Sequence, residues 1–252
     1  MRPGFCGREL AASLLKNGDR LLFRALLEPM PRIPRGQLIG HAFHLLNRGN
    51  GRQTVFHGDG DYAAFIRLLA KAKQRTPVKV AAFSILPNHF HLVVEPESNS
   101  GLSAFMQWWL TSHVRRYHRF YQTSGHVWQG RFKSFPIQKD EHFLTVARYV
   151  LQNPVRAGLA KRAFDWPWSS LSYPELVDPW PVPVPHGASW IEEPLTDSEI
   201  ELLRASARRQ TPFGARAWQQ PIAALLGLES TLRRPGRPRK RGQAGLADPS
   251  LS

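Results

Sequence analysis

The sequence predicts an α+β protein of ferredoxin-like type, in which helices lie on one side of an antiparallel sheet. Strand-like runs rich in β-branched and aromatic residues alternate with helical apolar stripes in the order β-α-β-β-α-β-α. The 252 residues are enough to bury a sizeable core. A single cysteine, Cys6, excludes both an internal disulfide framework and a Cys-rich zinc site.

Four segments are predicted as strands: residues 41–48, 78–86, 89–95 and 131–138. The first ends at a Gly-Asn-Gly sequence, and these residue types favour turns. Only Pro87 and Asn88 separate the second segment from the third. We therefore expect those two strands to pair antiparallel.

Three segments of the same region are predicted as helices: residues 59–74, 100–121 and 141–153. In the first, Tyr62, Phe65 and Leu69 recur at the spacing of a buried helical stripe. Asp140 can cap the third helix at its start, and Pro154 is expected to end it.

Composition divides the chain into five parts. They are an ill-ordered extension at 1–29, a core domain at 30–165, a Pro- and Trp-rich linking segment at 166–194, a helical extension at 195–228 and a basic, disordered tail at 229–252. The helices of the extension form either a helix-turn-helix type pair or a structural layer packed onto the core. The Gly-Arg-Pro centre of the tail resembles an AT-hook, which can lie in a narrow minor groove. The alternative is a tail that binds any polyanion.

The charge of the chain indicates a nucleic-acid partner. Thirty-four Lys and Arg against nineteen Asp and Glu give a net charge of +15, and such a field favours polyanions. No stretch approaches the run of about eighteen apolar residues that spans a membrane, so no membrane partner is expected. The first thirty residues also lack the pattern of a secretory signal, and we expect a cytoplasmic protein.

The basic residues are concentrated in one interval. No acidic residue occurs between Glu97 and Asp140, which a solvated helix face of mixed sign would not explain. Trp128 and Gln129 lie among these cations and could stack bases and hold the backbone of a single strand. The predicted DNA-binding residues are Arg48, Arg115, Arg116, Arg119, Trp128, Gln129, Arg131 and Lys133, with Arg237 and Arg239 in the tail.

His89 and His91 lie one residue apart in the third predicted strand. Because successive strand side chains alternate between faces, the two imidazoles share one face, and Phe90 and Leu92 share the other. This spacing suits a divalent metal that still needs further ligands. The alternative is a pair of hydrogen-bonded histidines with no chemical role.

Tyr149 and Asn153 lie one helical turn apart in the last predicted helix of the core. A tyrosine hydroxyl can attack phosphorus if a metal polarises the phosphate. Asn153 or Gln152 could complete the ligand set of that metal with an amide oxygen. Tyr117 and Tyr121 are rival nucleophiles.

Four motifs occur in a fixed order along the chain: NRGN at 47–50, LPNHFHLVV at 86–94, WQGRFK at 128–133 and YVLQNPVRAGL at 149–159. Together they resemble the REP-associated tyrosine transposases, a branch of the HUH single-tyrosine superfamily with an IS200-like transposase domain. The resemblance covers roughly residues 30–175.

The resemblance implies a site and a reaction. His89, His91 and Asn153 match the ligands of Mg²⁺ or Mn²⁺, and Tyr149 matches the nucleophile. The implied activity is cleavage and rejoining of single-stranded DNA next to palindromic hairpins, through a covalent 5′-phosphotyrosine. A regulator that binds hairpin DNA without cleaving it, and an RNA-hairpin binder, are the alternatives. We expect no small-molecule cofactor, a monomer rather than a homodimer, and a location on the bacterial nucleoid.

Overall fold

A computed structural model describes residues 38–184 and 189–233 of the chain. The predictions for the N-terminal extension at 1–29 and for most of the basic tail, including Arg237 and Arg239, lie outside these residues. The start of the tail, predicted to be disordered from residue 229, is instead a short helix at Glu229–Leu232. Among the described helices, none combines the length and the apolar character needed to cross a bilayer.

Four antiparallel strands form one sheet in the order β2-β3-β1-β4. The strands are β1 (Ala42–Arg48), β2 (Val78–Leu86), β3 (His89–Pro96) and β4 (Lys133–Ile137). The predicted antiparallel pairing of β2 and β3 across Pro87 and Asn88 is confirmed. Because β3 also pairs with β1, the strand that carries both histidines is central in the sheet.

Seven α-helices are described: α1 (Asp59–Arg75), α2 (Gly101–Tyr121), α3 (Glu141–Leu151), α4 (Asn153–Arg156), α5 (Asp197–Arg209), α6 (Arg216–Leu226) and α7 (Glu229–Leu232). The helix predicted at 141–153 is thus two helices, because α3 ends at Leu151 and α4 begins at Asn153. Pro154 lies in the first turn of α4, where a missing backbone N–H breaks no intrahelical bond.

The sheet is covered on both faces. Helices α1 and α2 pack on the face of Phe90 and Leu92, so the ferredoxin-like core with its two helices on one side is confirmed. The added helix α3 packs on the opposite face, among Ala82, Val93 and Phe135. Besides its histidines, that face carries apolar side chains that must also be removed from water. Helix α3 thereby covers the face on which the histidines lie.

The segment after the core binds the edge strand β2. Trp166 Nε1 donates to the carbonyl of Ile85 at 3.0 Å, and Trp180 Nε1 donates to that of Ala81 at 2.8 Å. Helix α5 packs against α3, and α6 buries Ile222 in the core beneath the other face. These contacts favour the packing interpretation of the two predicted C-terminal helices, because their apolar faces are already used.

A candidate catalytic site between the sheet and the tyrosine helix

Three histidines of β1 and β3 form a row on the face covered by α3. His44 and His91 are buried, and a hydrogen bond of 2.9 Å joins His44 Nε2 to His91 Nδ1. Their rings are parallel with centroids 5.0 Å apart, and the ring of His89 is 5.2 Å from that of His91. The predicted shared face of His89 and His91 therefore also holds a third imidazole.

The side chain of His89 is oriented by its neighbour in the β2–β3 turn. His89 Nδ1 is 2.7 Å from Asn88 Oδ1, and Asn88 Nδ2 donates to the carbonyl of Arg52 at 3.0 Å. An amide oxygen only accepts, so His89 carries its proton on Nδ1 and keeps a lone pair on Nε2. A hydrogen bond of this kind fixes the tautomer of metal-binding histidines in general.

Burial keeps the row neutral. It lowers the pKa of His89 to about 4, with a smaller effect of Arg48, and it lowers the pKa of His44 to about 3. The pKa of His91 is also well below its ordinary value, first because of burial and then because His44 and His89 lie close. Neutral imidazoles have the lone pairs that a divalent metal requires.

Tyr149 of α3 faces the same row. Its side chain is buried, and its ring centroid is 5.8 Å from that of His91 and 6.3 Å from that of His44. Both contacts are edge-to-face. The structure therefore brings the predicted nucleophile to the predicted ligand His91, although 58 residues separate them in the sequence.

The two amides after Tyr149 have different partners. Gln152 Nε2 donates to the carbonyls of Ile191 and Glu193 at 2.6 and 2.7 Å, so this side chain binds the C-terminal segment. Asn153 Nδ2 makes a longer bond of 3.4 Å to the carbonyl of Tyr149. Within the described parts of the chain, no donor pairs with Asn153 Oδ1. The arrangement favours Asn153 over Gln152 as an amide ligand.

Two residues at the site were missed by the sequence analysis. His44 lies outside the four sequence motifs, and only the pairing of β1 with β3 brings it to His91. Arg156 stands in the motif around Tyr149, but its spacing alone gives no contact. Its guanidinium carbon lies 4.0 Å from the centroid of the Tyr149 ring.

The rival tyrosines lie on the α1–α2 side of the sheet. Tyr117 Oη is 3.0 Å from His57 Nε2, and Tyr121 Oη donates to Asp61 Oδ2 at 2.5 Å. Burial and the Asp61 carboxylate raise the pKa of Tyr121 to about 12, which disfavours its phenolate. Of the three tyrosines considered, only Tyr149 contacts the histidine row.

Most of the predicted DNA-binding side chains are exposed: Arg48, Arg115, Arg119, Gln129, Arg131 and Lys133. Several lie at the histidine end of the sheet, because Arg48 is the register partner of His89. The loop that carries Gln129 is bound there, since the Gln129 backbone N–H donates to the carbonyl of Arg48 at 2.8 Å. Arg116 is partly engaged, with Nη1 3.3 Å from Asp61 Oδ1.

Trp128 does not have the role that its sequence context predicts. It is only 5% exposed and packs against Phe56, Phe90 and His113. No open ring face is left for a base, so the predicted stacking role is corrected to a core position. The aromatic residue between cations belongs to the hydrophobic core because its loop folds back onto β1.

Asp140, Glu141 and His142 also have ligand atoms close enough together for a metal, within 4.8 Å of one another. They lie at the opposite end of α3 from Tyr149. Asp140 accepts from the backbone N–H of His142 at 2.9 Å and so caps the helix. Capping explains this group without a metal.

Comparison with known proteins gives consistent results. Residues 38–153 match the family model of IS200-like transposases. A REP-associated tyrosine transposase of Escherichia coli K12 is 26% identical over 134 residues, which are 52% of this chain and 76% of that protein. A Haemophilus influenzae protein provisionally given the same name is 30% identical over 105 residues, 37% of this chain. The matched region spans 59% of that relative's length.

A solved structure of a REP-associated tyrosine transposase bound to a REP hairpin is also similar. It is 20% identical, with a TM-score of 0.45, over 63% of this chain and 93% of that chain.

Proposed function

We propose that this protein cuts and rejoins single-stranded DNA next to palindromic hairpins. The premise is that the domain at residues 38–153 belongs to the IS200-like transposase family. The observation that carries the proposal is the contact of Tyr149 with the neutral histidine row, at 5.8 Å between its ring and that of His91. A nucleophile and two metal-ligand candidates in one buried site suit phosphoryl transfer.

The donor set fits a divalent metal. His89 offers Nε2, and His91 offers Nε2 when its Nδ1 proton is donated to His44 Nε2. Asn153 Oδ1 would be the third ligand. Mg²⁺ or Mn²⁺ held there would polarise the scissile phosphate and offset the charge that develops on it.

The protein groups would then perform the transfer. Tyr149 Oη attacks phosphorus and loses its proton, and the bond from phosphorus to the 3′ oxygen breaks. The products are a 5′-phosphotyrosine and a free 3′-hydroxyl. A second 3′-hydroxyl attacks the phosphotyrosine and releases Tyr149, so rejoining needs no nucleotide cofactor. The exposed cations Arg48, Arg131 and Lys133 would hold the backbone of the DNA.

The non-cleaving regulator is the second candidate, and one observation favours it. Tyr149 is only 8% exposed, and its helix is bound to the C-terminal extension through Arg148, which lies 3.4 Å from Glu193 and 3.3 Å from Glu199. A nucleophile that DNA cannot reach would leave a protein that only binds hairpins.

One assay separates the two candidates. The full chain is incubated with a labelled hairpin oligonucleotide that has single-stranded flanks, with Mn²⁺, and run on a denaturing protein gel. We expect a covalent adduct that Tyr149→Phe abolishes and Tyr117→Phe retains. Hairpin binding without any adduct would favour the regulator, and an adduct in Tyr149→Phe would place the nucleophile elsewhere.

The same oligonucleotide made of RNA tests the third candidate. We expect an RNA hairpin to bind less tightly than DNA and to give no adduct. The monomeric state and the location on the bacterial nucleoid stay predictions.

A further inference from the structure

Arg156 contacts the proposed nucleophile in two ways. Its guanidinium carbon lies 4.0 Å from the centroid of the Tyr149 ring, within cation–π distance. Its Nη2 donates to the backbone carbonyl of Tyr149 at 2.7 Å. The guanidinium plane is therefore held beside the phenol ring by a backbone group that α3 leaves unpaired at its end.

The other end of the guanidinium has no partner. Nη1 of Arg156 is buried and makes no hydrogen bond among the described residues, and none of their carboxylates forms an ion pair with Arg156. Arg148, eight residues earlier in α3, differs because Glu193 and Glu199 pair with its two Nη atoms, although its Nε is also buried without a partner among the described residues. A buried, unpaired N–H of a charged group is costly, so Nη1 is expected to have an acceptor when the protein works.

The surroundings of Arg156 favour an anion. Arg156 and Arg48 both contribute to the low pKa of His91, after burial and the neighbouring histidines, and no acidic group counteracts them. Arg204 also lies close enough to Arg156 to lower its pKa, although burial is the larger cause. Among the described residues, the charged side chains that act on His91 and Arg156 are thus cations, with no carboxylate among them.

We propose that Arg156 is a phosphate-binding catalytic residue, whose Nη1 donates to a non-bridging oxygen of the scissile phosphodiester. The inference rests on the proposed function and names the group that holds the reacting phosphate at Tyr149. A guanidinium fixed before the DNA arrives stabilises the charge that grows on the phosphate oxygens as Tyr149 attacks. It adds a ligand for the phosphate besides the metal site of His89, His91 and Asn153.

A purely structural role is the alternative. In that case Arg156 only binds the end of α3 through the carbonyl of Tyr149, as cations near helix C-termini often do. This role uses Nη2 and explains neither the buried Nη1 nor the absence of a carboxylate partner. The two roles differ in whether the effect of Arg156 depends on the oxygens of one phosphate.

The decisive experiment removes those oxygens one at a time. Hairpin oligonucleotides are made with a methylphosphonate at the cleavage position, and the two stereoisomers are separated. We compare the rate of covalent adduct formation for the wild type, Arg156→Gln and Arg156→Lys with Mn²⁺. Arg148→Gln is the matched control, because it removes a paired arginine of the same helix region.

In the wild type, one stereoisomer should react roughly 100-fold more slowly than the normal phosphodiester, as expected for loss of one bond to the developing oxyanion. On the normal DNA, Arg156→Gln should form the adduct more slowly than the wild type by a similar factor. With that stereoisomer, the rate of Arg156→Gln should fall by less than about threefold further. Arg148→Gln should keep the full wild-type sensitivity. If the methyl group slows the wild type and Arg156→Gln equally with both stereoisomers, the proposal is wrong.

A binding measurement separates failure of this proposal from failure of the proposed function. In the Tyr149→Phe background, which cannot form an adduct with that residue, Arg156→Gln should weaken binding of the normal hairpin by about tenfold. It should hardly change binding of the methylphosphonate isomer that lacks the phosphate oxygen proposed to accept from Nη1 of Arg156. This result without any adduct in the wild type would refute cleavage and keep Arg156 as a phosphate ligand. Equal weakening for both oligonucleotides would refute the role of Arg156 alone.

Discussion

The histidine row shows how single residues depend on partners in other strands. His44 is fully buried, and its Nε2 lies 2.9 Å from His91 Nδ1. The contact holds the His91 ring and can accept its Nδ1 proton, which leaves Nε2 of His91 as the ligand atom. His44 is thus a positioning residue for a proposed metal ligand, without being a ligand itself.

Replacing His44 with phenylalanine keeps the ring shape and removes the hydrogen bond to His91. We expect the Mn²⁺ concentration needed for half-maximal adduct formation to rise by about 10- to 100-fold, the usual cost of losing such an outer contact. Titrating adduct formation with Mn²⁺ checks this, with hairpin affinity as the control for folding. An unchanged Mn²⁺ requirement would show that His91 needs no support from His44.

The buried side chain of His113 is expected to make the stability of the folded state depend on pH. It is 1% exposed in the core between α1 and α2, and burial lowers its pKa to about 3, with a smaller effect of Arg116. In the unfolded chain the pKa is about 6.5, so below that pH the unfolded state binds a proton that the folded state does not. The folded state therefore loses up to about 2 kcal/mol of stability from this residue between pH 6.5 and pH 5.

The variant His113→Phe removes that titration. We expect its free energy of unfolding to fall less than that of the wild type as the pH drops from 6.5 to 5. Urea unfolding at several pH values measures the difference. Parallel pH curves for the two proteins would contradict the assignment, whatever the absolute stability of the variant.

The break between α3 and α4 decides what each side chain after Tyr149 can reach. Because the helix stops at Leu151 and restarts at Asn153, Gln152 contacts the C-terminal segment while Asn153 stays beside Tyr149. Gln152 thus supports the position of α3 in the molecule. Asn153 is available to the proposed metal site.

Substituting these neighbours one at a time separates the two roles. Gln152→Ala should destabilise the fold by about 1–3 kcal/mol, because it leaves the buried carbonyl of Ile191 and the partly buried carbonyl of Glu193 without this donor. Asn153→Ala should change stability little and raise the Mn²⁺ requirement of adduct formation. Thermal unfolding and Mn²⁺ titration of both variants check this, and the reverse outcome would make Gln152 the third ligand.

Across the whole molecule, the proposed reaction centre and many of the exposed cations meet at one end of the sheet. Arg48 pairs with His89 in the strand register, and the loop with Gln129 and Arg131 is hydrogen-bonded to the end of β1. A hairpin bound by these cations would lie next to the histidine row. Arg116 differs because Asp61 already engages it.

Salt dependence distinguishes these cations. Arg131→Gln should reduce the slope of log affinity against log salt by about 0.7–1, the value for one lost phosphate contact. Arg116→Gln should leave the slope nearly unchanged and lower the melting temperature instead. Hairpin binding between low and moderate salt tests both, and a similar slope change for the two variants would place Arg116 on the DNA.

The sequence by itself determined the fold class and singled out the candidate reactive residues, whose roles stay predictions. Alternation in strands and the repeat of helices are local properties, so the bounds of β2, β3 and α1 follow from them closely. His89 and His91 could be proposed because their spacing in one strand is visible locally, and Tyr149 because its motif resembles that of the REP-associated tyrosine transposases.

Only the tertiary structure decided which residues accompany them. Trp128 was buried, and His44 was brought to His91, by contacts between segments far apart in the chain. Arg156 contacts Tyr149 across the break between α3 and α4, only seven residues away. Helix α3 lies on the histidine face because the apolar side chains of that face must be covered, which no local pattern specifies. Burial and pairing are set by the whole packed molecule, and they determine here which imidazoles are neutral and which guanidinium nitrogens are left without a partner among the described residues.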